Sequence, residues 1–100
     1  MGKVVVEIIR PVNPLGVSFI KYLYGAAASQ DRRIVEKHKK EFVELIRKIG
    51  EKISEIIGEG KLITGTVIIE TGDFGKPERI TVKNIKVWDV VKELKEEVSI

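Results

Sequence analysis

Apolar positions recur with a helical period through the middle of the chain and with strand-like runs on either side of it. Residues 3–10 carry Val4, Val5, Val6, Ile8 and Ile9 with little alternation, which predicts a strand covered on both faces and central in its sheet. Pro11 ends that strand. Asn13 followed by Pro14 reads as an N-cap with proline at the first helical position, where its missing N–H costs nothing. A helix over residues 14–24 follows, and its residues Leu15, Val17, Phe19, Ile20, Tyr22, Leu23 and Tyr24 occupy most of the circumference. Such a helix needs burial on more than one side. Gly25 or the alanines at 26–28 either end it or carry it into the next.

The main helix is predicted over residues 30–57, capped by Ser29 or Asp31. Its stripe runs Val35, His38, Phe42, Leu45, Ile46, Ile49, Ile53, Ile56 and Ile57, spacings that place these residues on one face. At 1.5 Å per residue the helix would be about 40 Å long. A domain of this length has a radius of gyration near 13 Å and is only roughly 34 Å across. The helix is therefore expected to overrun its own domain before Gly58 and Gly60 stop it.

Residues 62–70 and 79–87 predict a hairpin joined by a Gly/Pro-containing loop. Gly65 marks a bulge or a close backbone approach. In the second strand the alternation Ile80, Val82 slips by one residue to Ile85, Val87, which places a bulge near Asn84. Asp89 then caps a last short helix that buries Val90, Val91, Leu94 and Val98. The expected fold is a single α+β domain over residues 1–100, in the order β-α-α-β-β-α. A small three-stranded sheet packs mainly on one face against one long and two shorter helices.

Composition narrows the classes. With 43% hydrophobic and 33% charged residues, the chain is that of a folded globular domain. Cysteine is absent, which removes disulfides, thiolate ligands and a cysteine nucleophile. Amides are confined to Asn13, Gln30 and Asn84, while Lys, Arg and Glu abound, a pattern of heat-adapted proteins. The first residues read as a strand rather than a signal peptide. The apolar stretch 15–28 is interrupted by Lys21 and falls short of the roughly 20 residues a bilayer requires. A cytoplasmic protein without membrane contact is expected.

Charge placement is the feature most suggestive of a partner. Residues 32–40 hold Arg32, Arg33, Lys37, Lys39 and Lys40 against Glu36, whereas Glu51, Glu55 and Glu59 outweigh Lys52 at the rear. A helix favours the opposite arrangement by about 0.3–1 kcal/mol per charge near its ends. Two readings supply the missing counter-charge. In the first, an antiparallel second copy makes a homo-oligomer, with Phe19, Tyr22, Phe42, Ile49, Ile53 and Ile57 as its apolar contact. In the second, Arg32, Arg33, Lys37, Lys39 and Lys40 hold nucleic-acid phosphates, contacting the backbone rather than reading sequence.

Other motifs point to structure rather than chemistry. His38, the sole histidine, lies on the apolar stripe without a second ligand at helical spacing, so a hydrogen-bonded core or interface role is expected over a metal site. Gly58 to Lys61 superficially resembles a phosphate-binding loop, but a helix precedes it, a strand follows it, and Leu62 replaces the hydroxyl residue. Phe74, flanked by two glycines, is expected to fold back over the end of the core in preference to forming an exposed recognition tip, and Trp88 to act as a packing anchor. No base, nucleophile or metal set assembles from spacing. The expected function is a non-enzymatic, cofactor-free interaction or scaffolding module, with nucleic-acid binding as the alternative and any small-molecule ligand undefined.

Overall fold

The computed structural model describes residues 2–100. Strand β1 (Gly2–Val12) leads into three helices, α1 (Val17–Gln30), α2 (Arg32–Lys37) and α3 (Lys39–Ile57). Strands β2 (Leu62–Thr71) and β3 (Pro77–Trp88) follow, joined through a short 3-10 turn at Asp73–Gly75. The three strands form one antiparallel sheet in the order β1-β2-β3. The α+β class, the small sheet and the long helix are as expected, but the helical region is divided twice and residues 89–100 carry no helix.

β2, not β1, is central. Val4, Val6 and Ile8 face the helices and are buried with Ile63, Val67 and Ile69 of β2, while Val5 and Ile9 lie on the opposite face. The apolar run of β1, interrupted by Glu7, thus reflects a second face that carries Val5 and Ile9 rather than a second covering layer. Side chains of α1 close the outer edge of β1. Gln30 Nε2 donates to Val5 O at 2.8 Å and its Oε1 accepts from Val5 N at 3.3 Å, while the Tyr22 hydroxyl donates to Glu7 O at 2.9 Å. Backbone groups left over by an edge strand are matched in this way as a neighbouring strand would match them.

The helices cover one face. α1 buries Phe19, Leu23 and Ala27, a stripe at four-residue spacing, against the sheet and against Phe42, Ile46 and Ile53 of α3. α1 begins later than expected because Asn13 organises a turn instead of the helix. Asn13 Oδ1 accepts from Leu15 N at 2.9 Å and Asn13 O from Gly16 N at 2.9 Å. It also runs on through Gly25 and the alanines. The predicted single helix over 30–57 is interrupted at Asp31 (φ −154°, ψ 100°) and at His38 (φ −127°, ψ 32°). These breaks let Ile34 and Val35 turn into the core. The 19 residues of α3 make it about 28 Å long, so it has no overrun to explain.

The hairpin matches expectation in detail. Thr64 pairs with Lys86 and Thr66 with Lys83, leaving Gly65 opposite both Asn84 and Ile85. Asn84 takes the left-handed conformation, φ 56°, that the bulge requires and asparagine tolerates. A Cβ on Gly65 would lie 3.0 Å from Lys83 O, so the close approach is real as well. Two expectations fail. Phe74 does not cover the core: it is 77% exposed, with φ 58°, at the tip of a loop held from below by His38, whose Nε2 donates to Phe74 O at 3.2 Å. Residues 89–100 remain irregular, with Val90, Val91, Leu94 and Val98 exposed. A lone helix that short is marginal without a surface to pack on.

Candidate interaction surface

The basic cluster is largely occupied by its own neighbours. Asp31 caps α2, its Oδ1 accepting from Arg33 N at 3.1 Å. The same carboxylate receives the Arg33 guanidinium as a fork, at 3.0 and 2.9 Å. Arg32 lies 3.8 Å from Glu36, and the Lys39 ammonium sits 5.7 Å from the centre of the Tyr24 ring. Lys37 and Lys40 stand exposed on either side of the His38 break. Asp31 thus supplies the negative charge that the start of α2 needs. The reversed arrangement persists on α3, whose last turn carries no basic residue.

The Arg33 side chain holds the Asp31 carboxyl below the ordinary carboxylate range, helped by the Arg33 backbone N–H and its charge and opposed by partial burial. Depression of the folded-state value makes the charge stabilising above the ordinary carboxylate range, and that contribution is lost as pH falls through the lowered Asp31 value. Asp31→Asn retains a capping oxygen but not the charge. Urea titrations should therefore show the parent to be more stable than Asp31→Asn at neutral pH, with the gap closing in acid below the Asp31 transition.

The residues expected at an oligomer contact divide differently. Phe19, Phe42 and Ile53 are buried in the chain's own core, whereas Tyr22, Ile49 and Ile57 are half-buried against it. The buried three present no surface to a partner. The outward face of α3 carries Lys40, Glu44, Arg47, Lys48, Glu51, Lys52 and Glu55, with Ile56 exposed among them. An antiparallel α3 pair would have charge complementarity but little apolar contact.

The uncovered face of the sheet offers what α3 lacks. Val5, Glu7 and Ile9 of β1, Leu62, Thr64, Thr66 and Ile68 of β2, and Thr81, Lys83, Lys86 and Trp88 of β3 share it by register. Ile9 is 77% exposed and Trp88 47%. Its central polar groups are tied down: Thr66 Oγ1 donates toward the Glu7 carboxylate at 3.0–3.1 Å, and the Trp88 indole N–H donates to Thr64 Oγ1 at 3.0 Å. A shallow groove of about 520 Å³ runs between Glu7, Ile9, Thr64, Thr66, Lys86 and Trp88. Trp88 is therefore anchored through its nitrogen, as a packing residue would be, while half of its surface faces outward.

Strand addition is discouraged at both edges. α1 closes β1, and β3 carries Lys83, Lys86 and the Asn84 bulge, devices that block edge pairing. With both edges closed in this way, the open surface of the sheet is its face. The parity of Val5 and Ile9 together with Leu62, Ile68 and Trp88 marks this face in the sequence, but only once β1 is assigned to the edge.

Among the described residues, no group of three or more His, Cys, Asp or Glu side chains converges as a metal site, and no helix is long and apolar enough to cross a membrane. The chain matches no protein-family model, and no curated protein or solved structure matches it.

Proposed function

We propose that this chain is a non-enzymatic, homo-oligomeric interaction module, most simply a dimer, that meets its partner copy through the open face of the sheet. The observation that carries this reading is the set of exposed apolar residues Val5, Ile9 and Trp88 on a face left uncovered by the helices, beside edges closed to strand pairing. Glu7, Thr66 and Lys83 lie between Val5 and the Ile9 and Trp88 end of the face, and exposed apolar side chains set among polar ones mark association sites. The near absence of amides and the lack of cysteine support a heat-tolerant setting. Light scattering is expected to give twice the chain mass at micromolar concentration, and a monomer that persists at low salt defeats the reading.

A second reading has its own support. Lys83 and Lys86 flank an exposed tryptophan on the open face, a combination of cations and stacking surface suited to nucleic acid. Lys37 and Lys40 leave some charge free in the helical cluster as well. Anisotropy titrations of labelled single strands and duplex test it. Duplex binding should fall with salt at a log-log slope of about −0.9 per neutralised phosphate, and absence of binding at low salt with tens of micromolar protein sets it aside.

A further inference from the structure

We propose that the open sheet face is covered by residues 89–100 of a second copy of this chain, folded into a helix on docking, with the exchange made reciprocally; this rests on the homo-oligomer reading above. As a helix, the segment would gather Val90, Val91, Leu94 and Val98 within one arc of about 100°. All four are exposed, Val91 to 98%. An isolated segment this short cannot hold a helix, but a surface that receives its apolar stripe would supply the missing packing.

The two surfaces agree in size and charge. Ten helical residues span about 15 Å. Three strands are about 10 Å across, and the ten residues of β2 are more than 30 Å long. The helix would carry Glu93 and Glu97 along one border of its stripe, and β3 presents Lys83 and Lys86 along one border of the open face.

The occupant is a second copy because the chain leaves its own sheet at the end. Lys61 pairs with Asp89, whose other oxygen accepts from Val90 N at 2.9 Å. Pro11, Gly60, Leu62 and Trp88 line a hollow with Asp89 and Val90 there, at the end of the groove on the face. The radius of gyration is 15.4 Å and the longest dimension 53 Å, against about 13 Å expected for the radius of a fully compact domain of this length. Folding back onto its own sheet would require the chain to reverse direction immediately after the Lys61 clamp. A two-fold exchange needs no reversal and closes on itself, because each copy gives one segment and receives one.

Complementary charge swaps in the full-length chain test the exchange. Lys83→Glu with Lys86→Glu in one chain, and Glu93→Lys with Glu97→Lys in another, each set like charges against each other in a homodimer. Sedimentation is expected to show at least tenfold weaker self-association for each alone. An equimolar mixture should recover the parent affinity, since every contact in the mixed dimer is again opposite in sign. Leu94→Asp should give a folded monomer, with the strand and helix signals of circular dichroism retained because Leu94 is exposed in the single chain. A parent dimer indifferent to all of these changes overturns the exchange and leaves the homo-oligomer reading standing. A parent that is monomeric at hundreds of micromolar overturns both. A mixture no stronger than its components refutes reciprocal docking. Nucleic-acid binding lost in the Lys83/Lys86 variant without rescue on mixing would reassign the face.

Discussion

Ile53→Asp is expected to leave the chain unfolded at any concentration. Ile53 is 4% exposed, on the face of α3 that packs with Phe19, Phe42 and Ile46 in the core. An uncompensated carboxylate there costs several kcal/mol, set against a total stability of about 5–15 kcal/mol. Ile56→Asp on the same helix serves as the control, because Ile56 is 78% exposed and its variant should keep the parent's circular dichroism. Helicity lost in Ile53→Asp and kept in Ile56→Asp supports the core placement. A folded but dissociated Ile53→Asp chain would show instead that this residue faces a partner.

The second large effect is at Gly50, where adding one methyl group should destabilise by about 1–3 kcal/mol or more. A Cβ on Gly50 would lie 2.1 Å from Pro14 O, and what it meets is backbone, so no side chain can swing aside. α3 would have to retreat from the turn that precedes α1. Gly25 lies inside α1 with nothing within 4 Å of an added Cβ, and Gly25→Ala should stabilise by about 0.5–1 kcal/mol. Helix propensity alone gives both substitutions the same favourable sign. Urea midpoints that move in opposite directions would separate packing from propensity; a stabilised Gly50→Ala would contradict the close approach.

Much of the fold could be read from residues that report local geometry. The slip from Ile80 and Val82 to Ile85 and Val87 located the Asn84 bulge, and Gly65 announced the strand that passes close to it. The Phe42, Ile46, Ile53 stripe gave the buried face of α3. What escaped depends on tertiary choices that periodicity does not record. An apolar run does not say whether its second face meets a layer of the same chain or solvent, so the pattern of β1 suits a central strand as well as an edge strand with an open apolar face. The breaks at Asp31 and His38 fall in a stretch of continuous helical pattern, and are fixed by a cap and by a hydrogen bond to a loop 36 positions away. Of the candidate site, the charged residues are legible as types, but their pairing with Asp31, Glu36 and Tyr24 depends on the breaks and packing of the helices. The open face is legible only once β1 is known to be an edge strand.

Gln30 ties the chemical ageing of this protein to its sheet edge. Its carboxamide both donates to and accepts from Val5, as a peptide group would. Hydrolysis to glutamate would keep the accepting oxygen, remove the donor and set a negative charge beside the Val5 carbonyl. So small a change in covalent structure would weaken the closure of β1 against foreign strands, although every apolar contact in the core was still intact. In a chain with only three side-chain amides, the one that closes this edge is the position at which slow hydrolysis bears most directly on aggregation.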